Sequence, residues 1–293
     1  MSGRLSLSLS DPAQGGEALE HLVSRALLVD GQPPFNDQAL VEVMTGERSL
    51  LLAESDGTTI GAAVLSADEL ELVVDPEWRQ EGFGARLVEL VLQSRPTSTL
   101  LAWAHGDHPA ARHLAARYRF EPVRTLYQLR RELSESGTGV PAPDGYRLTA
   151  FDPAADLTDW VELNAVVFRS HPEQGRITAD DVRARMREDW FDAGDFLLLR
   201  QGDDLTGYIW LKIEPGDDVG EVYVVGVSPD QAGRGLGRFL TRAGLARLAE
   251  RGMRHAALYV DGDNTAAMAL YRSLGFTDHT VDVQYRRDAP RAS

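Results

Sequence analysis

The chain contains no cysteine. Structural disulfides, thiolate metal ligands and a cysteinyl acyl-enzyme are excluded together, so any group transfer has to proceed by another route. Histidine is scarce, at 7 of 293 residues, and none of it falls in a His-Glu-x-x-His or comparable ligand spacing, so no metal is expected. Positive charge is short as well. Lys and Arg number 30 against 45 Asp and Glu, a formal charge of -15 that would repel a phosphate backbone and leaves no nucleic-acid partner in view. Long apolar runs are missing too, since no stretch approaches the roughly 20 residues that span a bilayer. The opening MSGRLSLSLSDPAQGG alternates apolar and polar residues and reads as a first strand rather than a signal peptide. A cytoplasmic monomer with no membrane partner, acting on a small-molecule substrate, is the expectation.

What is present is an ordinary globular composition, 43% hydrophobic and 26% charged, in a chain of 293 residues, about twice a typical domain length. The same order of signals occurs in each half. SLLLAESDGTTIGAAVL (49–65) and DFLLLRQGDDLTGYIWLKI (195–213) are each two apolar runs about a hairpin turn. LELVVDPEW (70–78) and EVYVVGVSPDQ (221–231) are strands that end at a proline before a glycine-rich turn and an amphipathic helix. HPAARHLAARYRF (108–120) and NTAAMALYRSLGF (264–276) are helical patterns ending at an aromatic residue. Between the copies SESGTGVPAPDG (134–145) lacks apolar periodicity, so the expected division is 1–134, a linker at 135–144, and 145–293.

In the second half the turn runs Gln231-Ala232-Gly233-Arg234-Gly235-Leu236-Gly237, and the helix after it shows Leu236, Leu240 and Ala243 on one face with Arg238 and Arg242 turned away. Glycines let the backbone approach a ligand, and the free N–H groups and dipole of a helix N-terminus favour an anion such as pyrophosphate. Taken alone, the glycines leave open a tight turn with no ligand as the lesser alternative. Glu221 at a strand start is the candidate base for an amine; a solvated strand-end carboxylate is the alternative. Tyr271 lies two helical turns after Asn264, on nearly the same face, and is the candidate proton donor; a core tyrosine is the alternative.

The order strand, Arg/Gln-x-x-Gly-x-Gly turn, helix, strand, Asn-x-x-Ala-x-x-x-Tyr helix resembles the GNAT superfamily of N-acetyltransferases. The resemblance implies an α/β (α+β) chain of two tandem GNAT domains, each a mixed, mostly antiparallel sheet flanked by helices, with acetyl-CoA as cosubstrate. In that superfamily the glycine turn holds the CoA pyrophosphate, a strand bulge opens a gap for the pantetheine arm, and the tyrosine protonates the departing sulfur. Carried onto this sequence, the cofactor residues are Val225, Gly226 and Val227, then Ala232, Gly233, Arg234, Gly235, Leu236, Gly237 and Arg238, and then Asn264, Thr265, Ala266, Ala267, Met268 and Ala269. Gly226 is the expected bulge. Ala232 departs from the usual Arg or Gln, with Gln231 one place earlier.

The first half matches the turn more literally in Arg79-Gln80-Glu81-Gly82-Phe83-Gly84, so Leu72, Val73, Val74, Gln80, Glu81, Gly82, Phe83, Gly84 and Ala85 are its candidate acetyl-CoA residues. Aligning Phe120 with Phe276 puts His108 opposite Asn264 and Ala115 opposite Tyr271, with Asp68 near the position of Glu221. Cofactor binding without efficient catalysis is expected there.

Tandem domains with an intact C-terminal site resemble one family in particular, the mycothiol synthases. The match lies in His171-Pro172-Glu173-Gln174-Gly175, Trp210-Leu211-Lys212, Glu221 to Val227 and Leu258-Tyr259-Val260-Asp261. That family acetylates the cysteinyl amine of cysteinyl-glucosaminyl-inositol. The resemblance implies that Glu173, Lys212, Glu221 and Tyr259 contact this acceptor, together with an acidic residue of the first domain, Asp37. Another GNAT N-acetyltransferase, for an aminoglycoside, a polyamine or a protein N-terminus, and a non-catalytic acetyl-CoA sensor remain the competing readings.

Overall fold

The computed structural model describes residues 5–10, 12–96, 98–134, 140–169 and 174–289. In chain order the elements are β1 (Leu5–Ser10), α1 (Pro12–Asp30), α2 (Asp37–Met44), β2 (Ser49–Ser55), β3 (Thr58–Leu65), β4 (Glu69–Val74), α3 (Phe83–Ser94), β5 (Leu100–Ala104), α4 (Pro109–Tyr118) and β6 (Glu121–Glu132). They continue with β7 (Tyr146–Ala150), α5 (Leu157–Val167), α6 (Ala179–Arg185), β8 (Phe196–Gln201), β9 (Asp204–Lys212), β10 (Val219–Val227), α7 (Leu236–Glu250), β11 (His255–Asp261), α8 (Thr265–Ser273) and β12 (Thr277–Arg287).

Contacts divide the chain into two units. Unit 1 comprises Met1–Tyr127, Asp261–Asp263 and Thr280–Ser293; unit 2 comprises Gln128–Val260 and Asn264–His279. Residues 128–134 therefore go with unit 2, and the end of β12 goes with unit 1.

In unit 1, β1 to β4 form antiparallel pairs, β4 pairs β5 in parallel, and β12 pairs β5 antiparallel from Val283↔Ala104 to Arg287↔Leu100. The apolar run of β3 is continuous because both faces are covered. Ala62 and Val64 face α1 and α2 through Leu19, Leu22, Ala26 and Val43. Ala63 and Leu65 face the other way, onto Val88 and Val91 of α3.

Unit 2 repeats the plan: β7, β8, β9 and β10 pair antiparallel in sequence, and β10 pairs β11 in parallel. One face packs Tyr208, Trp210 and Val224 against Trp160 of α5 and Val182 of α6. On the other lies α7, whose Gly244 allows the close approach: a Cβ there would stand 2.5 Å from Ile209 Cδ1. The face read from the sequence is the buried one, with Leu236, Leu240 and Ala243 inside and Arg238 and Arg242 exposed.

Candidate active site

The parallel register of β10 with β11 runs from Val219↔His255 to Val222↔Leu258, whereas β10 itself continues to Val227. Beyond Val222 the two strands part. Alternate peptide groups of β10 then face the side that β11 has left, so a gap lined by main-chain donors and acceptors opens there. The ladder between β10 and β9 slips between Val222 and Val224, so the bulge residue is Tyr223. This corrects the expectation of a bulge at Gly226, which pairs regularly with Tyr208. The physical reason for a glycine at 226 is room: a Cβ would lie 2.6 Å from the Tyr208 ring. The bulge is pinned by Arg185, whose Nε donates to the Tyr223 hydroxyl at 2.7 Å.

The turn after β10 has the backbone of an anion cradle. Gly233 (φ 78) and Gly235 (φ 75) are left-handed, with open space where a Cβ would stand. Gly235 caps α7 without any side-chain bond, and the Phe239 N–H donates to the Gly235 carbonyl at 3.0 Å. The N–H groups of the first turn have no partner inside the helix. Gln231, displaced by one place in the sequence, points away from that role: its Oε1 accepts from the Tyr146 hydroxyl at 2.8 Å. Arg234 Nη1 donates to the same hydroxyl at 3.3 Å. The first turn of α7 adjoins α8, for a Cβ on Gly237 would lie 3.6 Å from Leu270 and Arg238 donates to Ser273 Oγ at 2.7 Å. Asn264 caps α8 by accepting the Ala267 N–H at 3.1 Å. Leu236 is buried, Gly237, Ala267 and Met268 are half-buried, and Ala232, Gly233, Arg234, Gly235, Arg238, Thr265, Ala266 and Ala269 are exposed. The donor chemistry fits a pyrophosphate, and the gap beside Val225, Gly226 and Val227 fits an extended arm.

Glu221 is the register partner of both Lys212 on β9 and Ala257 on β11. Paired residues share a face of the sheet, so Lys212, Glu221 and, two residues past Ala257, Tyr259 emerge together beside the end of the parallel pairing. Lys212 Nζ lies 2.8 Å from Glu214 and 5.5 Å from the centroid of the Trp190 ring. Tyr259 is 48% exposed, and its hydroxyl accepts from Gln128 at 2.7 Å. Tyr271 is buried against Phe276, and burial raises its pKa to about 12. Glu173 lies outside the described residues, and so does the side chain of Asp37, whose backbone opens α2.

Unit 1 shows the same frame with different contents. Its β4–β5 register covers Glu69↔Leu101 and Leu70↔Ala102, after which the strands part. Gly82 (φ 87) caps α3, His108 caps α4 as Asn264 caps α8, and the Phe120 N–H reaches the Ala115 carbonyl as the Phe276 N–H reaches that of Tyr271. The pairing of Ala115 with Tyr271 read from the sequence is therefore the geometric one. A cavity of about 770 Å³ is lined by residues that include Leu72, Val73, Val74, Gln80, Gly82, Phe83, Gly84 and Ala85; exposed Glu81 stands on the same turn. Asp68 is not the counterpart of Glu221. Because β4 carries no bulge against β3, Glu69 takes that place, opposite Leu101 as Glu221 is opposite Ala257.

Sequence reasoning missed what surrounds Glu69. Arg48 bridges Glu69 at 2.8 Å and buried Glu71 at 3.0 Å, and also pairs with Glu42. His105 donates from Nε2 to Glu71 at 3.0 Å and from Nδ1 to Asp282 at 3.2 Å. Burial alone would lower its pKa, but the hydrogen bonds and charges of Asp282 and Glu71 prevail and raise it to about 9. At the place equivalent to Glu221, unit 1 has an ion-pair network with Trp103 stacked on His105. These residues are scattered over α2, β4, β5, β12 and the turns beside α2 and β5 and carry no local motif, so only the fold reveals them.

A model of the acetyltransferase (GNAT) family matches residues 159–276. The structure is similar to a GCN5-related N-acetyltransferase of Sphaerobacter thermophilus, with a TM-score of 0.75 at 22% identity, covering 100% of this chain and 98% of that one. A tandem GNAT protein of the clavulanic acid biosynthesis pathway gives a TM-score of 0.72 at 17% identity, over 99% of this chain and 100% of that one. At these identities the likeness establishes the fold, two α/β GNAT repeats. Sequence reaches further. The mycothiol acetyltransferase of Clavibacter michiganensis is 48% identical over 276 residues, 91% of this chain and 89% of that protein. Identity of that order across both repeats, rather than the second alone, places the chain in the mycothiol acetyltransferase family.

Proposed function

We propose that the chain transfers an acetyl group from acetyl-CoA to the cysteinyl amine of 1D-myo-inositol 2-(L-cysteinylamino)-2-deoxy-glucopyranoside in the cytoplasm, giving mycothiol and CoA by direct attack in a ternary complex. The observation that carries the chemistry is Glu221, held across from Lys212 at the point where β10 and β11 part. The name of the relatives supports the acceptor.

In this reading the α7 turn, from Ala232 to Arg238, and the start of α8, from Asn264 to Ala269, hold the phosphates and the pantetheine arm lies beside Val225, Gly226 and Val227. Glu221 takes a proton from the acceptor ammonium, directly or through water, and frees the nitrogen lone pair for the thioester carbon. Main-chain N–H groups of β10 facing the gap stabilise charge on the carbonyl oxygen. As the carbon–sulfur bond breaks, the Tyr271 phenol gives its proton to sulfur and CoA leaves as the thiol, while the second proton shed by the acylated nitrogen restores the phenol through water. A phenol held near 12 by burial remains protonated at neutral pH and is available for this step. Lys212, Tyr259 and Glu173 bind acceptor hydroxyls and the ammonium group. Unit 1 holds acetyl-CoA without turning it over, because Ala115 offers no proton and Glu69 is engaged by Arg48.

Thiol release from acetyl-CoA tests the reading, with the cysteinyl acceptor compared against glucosaminyl-inositol and spermidine and the product identified by mass. Turnover confined to the cysteinyl acceptor, and reduced about a hundredfold in Glu221→Gln, is expected. Equal turnover with spermidine would discard the acceptor; full activity in Glu221→Gln would discard the base.

A further inference from the structure

The cavity of unit 1 is larger and more apolar at its inner end than an acetyl group requires. One end opens at the turn before α3, where Gln80 and Gly82 line it and are exposed. From there it follows β4 past Val74 and Leu72 to Leu70, which pairs with Ala102 at the end of the β4–β5 register and so marks the closed end of the gap. The wall at that end is Leu70, Val88 of α3 and Phe120, which are 2%, 4% and 6% exposed and belong to one buried cluster. A thioester whose phosphates sit at the turn therefore has its acyl group directed at apolar side chains.

The internal repeat accounts for the room. In unit 2 the Tyr271 ring packs on Phe276, with centroids 5.9 Å apart. Ala115 is the geometric counterpart of Tyr271, since the Phe120 N–H reaches its carbonyl as the Phe276 N–H reaches that of Tyr271. Unit 1 thus keeps the phenylalanine but has only a methyl group where the phenol ring would stand, and both Ala115 and Phe120 line the cavity. Apolar recesses of this kind stay dry and bind apolar guests.

The wall also selects against charge. His105 lines the cavity, but its two ring nitrogens face Glu71 at 3.0 Å and Asp282 at 3.2 Å. Arg79 and Arg117 of the lining are likewise paired, with Asp30 and Glu89. A carboxylate at the end of an acyl chain would displace one of these partners or be buried without one, and either is costly.

We propose that unit 1 is selective for CoA thioesters of a short, uncharged, straight acyl chain longer than acetyl, with the chain lodged beside Ala115 in the place that the Tyr271 ring fills in unit 2. The ring that donates the proton in one repeat takes up the space that holds the chain in the other. The proposal rests on the reading that unit 1 holds a CoA thioester, and it specifies the acyl group.

Calorimetric titration of the full chain with acetyl-, butyryl- and succinyl-CoA is the test. Two equivalents should bind. One site should take butyryl-CoA about tenfold more tightly than acetyl-CoA, because two further methylenes leave water, and should take succinyl-CoA more weakly than either. Ala115→Tyr should cut butyryl-CoA affinity at that site far more than acetyl-CoA affinity and so erase the preference, and Ala115→Leu, which adds less bulk, should reduce it. Gly82→Val disturbs the turn and not the recess, so it should weaken both thioesters at that site alike and leave their ratio as it was. Equal affinities for butyryl- and acetyl-CoA at both sites, succinyl-CoA bound as tightly as butyryl-CoA, or a preference that survives in Ala115→Tyr overturns the proposal and leaves the reading standing. Binding of a single equivalent that is lost in Gly235→Val and untouched in Gly82→Val overturns the reading for unit 1, and the proposal with it.

Discussion

Burial raises the pKa of Tyr271 to about 12, so the phenol keeps its proton at neutral pH. Free thiols titrate at about 8.5, so proton transfer from this phenol to a departing thiolate is uphill unless the two are hydrogen-bonded as the bond breaks. That argument fixes the expected signature of Tyr271→Phe. kcat should fall about a hundredfold, the KM for acetyl-CoA should hold within a few-fold, and wild-type kcat should show no limb from this phenol between pH 7 and 10. A Tyr271→Phe enzyme with wild-type kcat would remove it from the mechanism. Tyr271 was legible in the sequence because helical periodicity fixes its face relative to Asn264. The bulge at Tyr223 was not, because a bulge is a property of the pairing between two strands and neither strand alone specifies it. That missed residue shifted the repeat alignment by one and put Asp68 where Glu69 belongs.

At the level of elements, the strand-turn-helix of β10 and α7 is the part of the site most directly written in the sequence. Its glycines occupy conformations that other residues enter at a cost of roughly 1–2 kcal/mol. Gly235 is both left-handed and the cap of α7, with open space around it. Gly235→Val should therefore strain the turn without a steric clash and misplace the first N–H groups of the helix. Calorimetric titration should show acetyl-CoA affinity lowered about tenfold, while Gly252→Val, also left-handed but at the far end of α7, should leave it unchanged. Equal effects at the two positions would mean that the turn is only structural. The helix faces and hairpins were equally readable, since apolar periodicity dictates them. Which strand finishes each sheet was not, because β6 and β12 are alike in position and character within their repeats, and sequence order does not say which unit each strand joins.

Across the molecule the repeats keep one frame and differ where the parallel strands part. Unit 2 presents Glu221 there, whereas unit 1 closes the equivalent place with Arg48, Glu69, Glu71 and His105. The network also ties in the far end of the chain, since Asp282 bonds both His105 and the Gly106 N–H, and Val283 to Arg287 complete the sheet beside β5. A fragment of residues 1–134 would lack these partners and should be far less stable than the same unit in the full chain, whatever cofactor it is offered. The charge on His105 makes the contribution of the network measurable. Its pKa is about 6.5 in an unfolded chain and about 9 here, so its stabilisation is complete below pH 6.5 and disappears as pH rises through about 9. Denaturant unfolding at pH 6 and at pH 9.5 should show the wild-type chain losing stability between the two. His105→Leu, which forfeits the ion pairs and leaves Glu71 buried beside Arg48 alone, should start lower and lose less. Equal losses in the two proteins would mean that the pH dependence arises outside this ion-pair network.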